Sequence, residues 1–361
     1  MTVNIDLITA NGEGTGEVAS QLLSGGRIDP GRMRPWVDGR GRSFITVHTG
    51  GDPAKKENWK SLPISNNATL RRDEWKHLDE AVIRVARERL RGVEDLRTRG
   101  LTYNLNGMAS TVLEYHDVSE ALETTISMDG VTRGQNDRVK FTPNYIPLPI
   151  IHVDYEINAR VLNVSRTLGQ PLDTTMAEQA SRRISEELEK MLFTDSTYAY
   201  GNGTIYSYVN HPNRNKISGL TAWDASAKTA AGIRDDVLEM KQASIDAKHF
   251  GPWILYIPTK YETVLDEDYD NTRGNTLRQR LLAIDGIAEI KVIDHLPNNN
   301  LLLVEMTSEV VRWINGMNVQ NVQWSQEGGM INKFKVMTIQ LPQIRADQQG
   351  QSGLVHMAAS H

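Results

Sequence analysis

The run Asp266-Glu267-Asp268-Tyr269-Asp270-Asn271 comes closest in this 361-residue chain to a metal site, with carboxylates alternating as in the opening of a calcium-binding loop. The rest of that loop is missing. Its sixth position is Asn271 where a glycine must make the sharp turn, and its twelfth is Leu277 where a bidentate glutamate must close the shell. A solvated acidic loop is the reading that remains. Gly12-Glu13-Gly14-Thr15-Gly16 offers the glycine spacing of a phosphate cradle but lacks a preceding buried strand, a following helix phase and a Lys-Ser/Thr pair, so it reads as a turn. The nine histidines, among them His48, His116, His152, His211 and His295, show no metal-binding spacing, and no serine sits in a nucleophile elbow. Cysteine is absent, which removes disulfides, thiolate metal sites and a thiol nucleophile together. No catalytic, cofactor-binding or metal-binding residue is therefore assigned, and no enzyme activity is expected.

Charge and composition set the outer bounds. A formal net charge of −5 lacks the basic excess of a dedicated nucleic-acid-binding domain. The longest apolar runs, Ile146 to Val153 and Leu301 to Val304, are far shorter than the roughly 20 residues of a membrane span. Met1 to Asp6 has none of the basic and apolar pattern of a secretory signal, so a soluble cytoplasmic product with no membrane partner is expected. The length suggests two or three lobes.

The elements that would position any functional residue follow from periodicity. Residues 1 to about 70 are broken by glycines and read as an arm with no regular element. An amphipathic helix is expected from about Asp73 to Arg97, with Trp75, Leu78, Val82, Val85 and Val93 on one face and Gly100 as its stop. Thr111 to Tyr115 runs outward and Val139 to Phe141 with Ile150 to Tyr155 runs back, giving a long hairpin whose polar tip is Asp129 to Asp137. Pro143, Pro147 and Pro149 make its return limb an edge. A second helix follows Pro171, with Thr175 and Glu178 as a capping box and Met176, Ala180, Ile184, Leu188 and Leu192 as its buried stripe. Its other face offers the pairs Glu178 with Arg182, Arg183 with Glu187, and Glu186 with Lys190. An α/β lobe comes next: helices near Ile233 to Ala247 and Leu277 to Ala283, and strands Trp253 to Ile257, Ile290 to Ile293, Leu301 to Glu305 and Val310 to Ile314. The tail from Lys333 to Met357 alternates like a returning strand.

This order of elements resembles the Hong Kong 97-type capsid fold of tailed-bacteriophage major capsid proteins, to which encapsulins are related. Local phrases similar to those of encapsulin-type shells are Asp73-Glu74-Trp75, Leu148-Pro149-Ile150-Ile151, Phe193 at the end of the long helix, Gly251-Pro252-Trp253 and Phe334-Lys335-Val336. The resemblance covers roughly residues 70 to 345. It implies an α+β chain with an N-terminal arm (1–70), an N-terminal helix region of the P-domain (71–110), an E-loop hairpin (111–152), a P-domain with a spine helix at about 174–193 (153–221), an A-domain (222–325) and a returning P-domain strand with the C-terminus (326–361). It further implies a virion subunit assembled in the host bacterial cytoplasm. Such a subunit builds hexamers and pentamers of an icosahedral shell around double-stranded DNA held non-specifically, with scaffold, portal and decoration proteins as further partners. The alternative is an encapsulin-like nanocompartment enclosing a cargo enzyme. Intersubunit contacts are expected at Arg133, Arg138 and Lys140 on the hairpin, and at Arg32, Arg34, Trp36, Arg40 and Arg42 in the arm. The arm arginines suit either phosphate or acidic surfaces of neighbouring subunits, with the second preferred because the guanidinium pairs bidentately with carboxylates.

Overall fold

The computed structural model describes residues 35–48, 55–63, 70–89, 91–118, 128, 141–160, 162–163, 174–219, 221–269, 274–326, 331–346 and 350–358. Two sheets and one long helix organise them. The strand Trp253–Pro258 is buried at every position, which an alternating strand shows only when both of its faces are covered. Ile254 and Tyr256 point into one hydrophobic cluster, while Trp253, Leu255 and Ile257 point into another. The neighbouring strand Asn300–Glu305 divides in the same way, with Leu302 and Val304 on one side and Leu301 and Leu303 on the other.

These two strands lie inside a five-stranded sheet ordered Asn215–Ser218, Leu354–Ala358, Asn300–Glu305, Trp253–Pro258, Ile287–Ile293. The outer two pairings are parallel and the inner two antiparallel. One face packs on the helices Ala230–Asp246 and Leu277–Leu282, each opened by a threonine, Thr229 and Thr276, that accepts a backbone N–H of the first turn.

The other face shares its cluster with the helix Thr175–Phe193, about 28 Å long at 1.5 Å per residue. Ala180, Ile184, Leu188 and Leu192 form its buried stripe as expected, but Met176 is 47% exposed because the first turn extends past the core. The N-cap is Thr174, one residue earlier than the expected capping box, and its hydroxyl meets Glu178 at 3.1 Å. The exposed ion pairs also differ from the expected set: Glu186 takes both Arg182 and Arg183 at 3.2 Å, and Lys190 lies 3.9 Å from Glu187. Phe193 closes the helix in an aromatic knot, its ring edge-on to Tyr208 and Tyr256 at 5.5 and 5.0 Å.

Against this helix lie Arg72–Arg89 and a four-stranded sheet ordered Thr102–Asn104, Val311–Gln326, Ile331–Ile344, Ile151–Asn158. Two helices, Arg72–Arg89 and Arg91–Thr98, stand where one was expected. A Cβ on Gly92 would collide with the Phe193 ring, so the second helix is placed by close approach to the long one. The expected short strand at Val310 to Ile314 is the start of Val311–Gln326, which belongs to the four-stranded sheet. The returning tail is two strands, Ile331–Ile344 in that sheet and Leu354–Ala358 in the other.

The hairpin pairs Val112–Val118 with Phe141–Pro147, from Val112 opposite Pro147 to Val118 opposite Phe141. Ile151–Asn158, expected to continue its return limb, pairs instead with Ile331–Ile344. The expected tip, Asp129 to Asp137, lies outside the described residues. Ahead of the first helix, where no regular element was expected, Pro35–Val37, Ser43–His48 and Trp59–Pro63 form a three-stranded sheet. Its first turn works because Asp38 accepts the backbone N–H groups of Arg40 and Arg42, both at 2.9 Å, while Gly41 takes φ +79°.

The hairpin is aimed by a contact between two glycines. The strand Val311–Gln326 bulges between Asn315 and Met317, and the Gly316 carbonyl there accepts the Gly107 N–H at 2.9 Å. A Cβ on Gly107 would stand 2.9 Å from the Gly316 Cα, where only backbone could give way. Gly107→Ala is therefore expected to cost about 1–3 kcal/mol in urea unfolding, as overpacking does. Gly39→Ala, whose Cβ meets nothing within 4 Å, should stay within about 0.5 kcal/mol of the parent.

Candidate functional site

Around the hairpin root the chain presents apolar surface. Ile146, Leu148, Ile205, Ile314, Met317, Ile339 and Leu341 make a small core that anchors the root, with Leu113 and Tyr115 packed against it. Beside it, Tyr198–Tyr200 and Gly203–Ile205 form a tight hairpin whose turn residue Gly201 takes φ +58°. Gly203 lets this hairpin lie on the root, since a Cβ there would stand 2.7 Å from the Tyr145 carbonyl oxygen. Ile205 is buried at the root, while its cross-strand partner Tyr198 and the neighbouring Tyr200 are exposed.

Between the small hairpin, the Pro149–Ile151 segment and the last turns of the long helix is a recess of about 330 Å3. Met191 and Ile205 are among its apolar walls, and Glu187 is at its rim. Its lip is Ile150, 48% exposed, and Tyr198, 47% exposed. Large apolar side chains grouped in this way at a recess mark an interaction surface.

On the other side of the root lies a more polar cavity of about 310 Å3, with Tyr115, Tyr145, Tyr206 and His211 in its walls. His211 is buried and leads to a second buried histidine, His356, through Arg214. The guanidinium of Arg214 donates to the His211 carbonyl at 2.7 Å and to His356 Nδ1 at 3.1 Å. Because Arg214 can only donate, His356 Nδ1 must accept, and its Nε2–H then donates to Asn300 Oδ1 at 2.7 Å. Burial first, and the Arg214 charge second, push both histidines down to about 4. Both are neutral at neutral pH.

Where the two lobes meet, Asp95 on Arg91–Thr98 accepts from Lys291 Nζ at 2.5 Å and from the Tyr256 hydroxyl at 3.1 Å. Lys291 also pairs with Glu289, which Arg99 holds at 2.9 Å. Burial raises the Asp95 carboxyl above its ordinary range against the pull of Lys291 and Tyr256. Desolvation therefore offsets much of the attraction, and the bridge fixes the edge of the five-stranded sheet against the helix more than it stabilises the fold.

Of the residues expected at intersubunit contacts, Trp36, Arg40 and Arg42 are described. Trp36 is half-buried, stacked on Phe44 at 5.0 Å, with the Arg72 guanidinium 4.2 Å from its ring centre, and it clips the N-terminal sheet to the first helix. Arg42 is held within its own chain by Asp38 at 2.8 Å, and Arg40 is exposed. Arg32, Arg34, Arg133, Arg138 and Lys140 lie outside the described residues. In the acidic run, Asp266 faces Arg278 at 3.4 Å and Leu277 is buried. Among the described residues no group of three or more His, Asp or Glu side chains is placed to hold a metal ion. The recess and the histidine pair were missed by sequence reasoning. The two tyrosines Tyr198 and Tyr200 just before Gly201 were the one local signal of exposed aromatic surface.

A model of a family of unknown function, DUF6260, matches residues 65–357. The type 1 encapsulin shell protein EncA of Myxococcus xanthus is 26% identical over 224 residues, which span 60% of this chain and 71% of that one. A virus-like particle from Pyrococcus furiosus superposes with a TM-score of 0.58 at 17% identity, over 78% of this chain and 98% of that one. The capsid of Myoviridae phage XM1 gives 0.56 at 7% identity, over 73% and 91%. The fold is the Hong Kong 97-type capsid fold, α+β as expected.

The histidine pair fixes the sign of an acid response. With folded values near 4 and unfolded values near 6.5, the folded state binds fewer protons between them. Their contribution is complete above about pH 6.5 and is lost as pH falls toward 4. Urea unfolding of His356→Gln between pH 6.5 and 4.5 should show a pH slope shallower than the parent's by about one proton, or about 1.4 kcal/mol per pH unit. Equal slopes would show that His356 is not held neutral.

Proposed function

The chain belongs to DUF6260, the family of unknown function whose model it matches over residues 65–357, and on that premise we propose that it is a shell-building subunit, the major capsid protein of a tailed double-stranded DNA phage. Its work is self-assembly into hexamers and pentamers, with no chemical step. The observation that carries this reading is the two-stranded hairpin Val112–Val118/Phe141–Pro147, set on a fold shared with the Pyrococcus furiosus particle and the XM1 capsid. An isolated ribbon of two strands is marginal in water, and a neighbouring subunit supplies the surface it lacks.

The proposed division of labour follows the resemblance. The hairpin is the E-loop, Thr175–Phe193 the spine of the P-domain, and the five-stranded lobe the A-domain. The arm and hairpin reach over neighbours, adding interface area that a single subunit cannot bury. Arg133, Arg138 and Lys140, with Arg32, Arg34, Trp36, Arg40 and Arg42, are the proposed contact set. The front of the chain, with its sheet clipped on through Trp36 ahead of the first helix, supports a phage head. The 26% identity to EncA supports the second reading, a nanocompartment around a protein cargo.

The chain expressed alone should give capsomers or closed particles in negative-stain microscopy and sedimentation, and a strictly monomeric species across salt and concentration would end the proposal. Particles from the producing bacterium that hold double-stranded DNA favour the head, and particles that hold protein cargo favour the nanocompartment. The double variant Arg133→Glu, Arg138→Glu should keep its unfolding transition as a free subunit yet yield few or no closed particles, since like charges set against an interface cost several kcal/mol.

A further inference from the structure

The polar cavity of about 310 Å3 beside the hairpin root has the size of a small-ligand pocket. Its walls come from separate stretches of chain that the fold locks together. The hairpin limbs bring Tyr115 and Tyr145, Gly203–Ile205 and the loop after it bring Thr204, Tyr206 and His211, and the end of Ile331–Ile344 completes the wall. His211 is fixed through its backbone: its N–H donates to the Ser207 carbonyl at 3.1 Å, and its own carbonyl accepts from Arg214 at 2.7 Å. Its ring is left to the cavity. The residue is 7% exposed, its imidazole stands edge-on to Tyr206 at 5.6 Å, and its buried Nδ1 has no hydrogen-bond partner among the described residues. Buried polar atoms are nearly always paired, so an orphaned ring nitrogen in a cavity wall marks a place for a polar ligand. Asn202 and Asn213, exposed in the same wall, and Thr204 likewise make no side-chain hydrogen bond to a described residue.

The chemistry of the wall selects the ligand. Tyrosines and His211 are its only titratable side chains, and His211 is neutral at neutral pH, so nothing there balances the charge of a buried ion. A phosphate or a carboxylate would meet no cation. Amides and hydroxyls both donate and accept, which is what each hydroxyl of a sugar asks of its neighbours, and tyrosine rings offer flat apolar faces to the C–H side of a sugar ring. We propose that this cavity binds a neutral sugar, with the side chains of Asn202, Thr204 and Asn213 and the His211 ring hydrogen-bonded to its hydroxyls and a tyrosine ring against its apolar face. The sugar is either free or the end of a polysaccharide. The site goes beyond the shell reading, since it gives the chain a ligand whether it stands in a particle or as a free subunit.

Ligand-observed saturation-transfer NMR on the full chain tests this in either state. The probes are glucose, galactose, mannose and N-acetylglucosamine, each beside its methyl glycoside, with choline and adenosine for comparison. At least one sugar should bind with a Kd of about 1 mM or tighter. A methyl glycoside that binds equally well identifies the end of a polysaccharide as the ligand, and one that fails identifies the free sugar; either supports the site. The double variant Asn202→Ala, Asn213→Ala should keep the parent's thermal unfolding transition and hold that sugar at least tenfold more weakly. Phe250→Ser, at an exposed residue of the α/β lobe, should leave the affinity unchanged. Thr204→Val, which removes a hydroxyl and keeps the side-chain shape, gives a second reading in the same direction should the double variant not fold. Silence from every sugar, choline or adenosine bound in their place, or a sugar held equally by every folded variant overturns the proposal. None of these outcomes bears on whether the chain builds a shell, which microscopy and sedimentation decide separately.

Discussion

Burial of one strand pair on both faces is the constraint on which this molecule depends. Trp253–Pro258 and Asn300–Glu305 cannot be covered by a single layer, so the chain must supply helices on one side and the spine helix with its own sheet on the other. That requirement joins the two lobes through a continuous core in place of a hinge. Each large buried side chain in such a core contributes about 1.5–3 kcal/mol relative to exposure, whereas the Asp95–Lys291 bridge across the same junction contributes chiefly position. Apolar packing holds the lobes together, and the ion pair sets where they meet.

From that frame the surface features follow. The spine helix ends at Phe193 because the aromatic knot with Tyr208 and Tyr256 closes it, and the chain leaving the knot forms the small tyrosine hairpin. Gly203 brings that hairpin onto the root of the long ribbon, and Gly107 against Gly316 brings the root onto the four-stranded sheet. Three glycines at close backbone approaches thus decide the direction in which the ribbon leaves the body. The recess is the space left between elements brought together in this way.

Much of this was legible in the sequence where one residue type repeats with one period. Ala180, Ile184, Leu188 and Leu192 declared the spine helix, and the run Trp253 to Ile257 declared a strand, whose burial on both faces only the structure shows. Val311–Gln326 was visible only at its start because Asn315, Asn318, Gln320, Asn321 and Gln323 carry no strand signature, yet Asn321 is buried and donates to the Tyr155 hydroxyl at 2.6 Å. Alternation announced the tail strands but not their partners, so Ile331–Ile344 and Leu354–Ala358 read as one element although they belong to different sheets. Glycine density in the arm hid the strands Pro35–Val37 and Ser43–His48, where Gly41 serves the turn between them. The recess could not be read at all, since its walls come from four separated stretches of chain.

The two-stranded ribbon has a mechanical character that the spine helix lacks. Along its length it resists extension, because its strands are extended and paired in register from Val112 opposite Pro147 to Val118 opposite Phe141. Across its flat face no third strand pairs with it among the described residues, so it bends more readily there. In the proposed shell such a ribbon would keep a fixed reach to a neighbour while accepting different angles to it, which would let one gene product tile both flat and sharply curved regions of a closed surface.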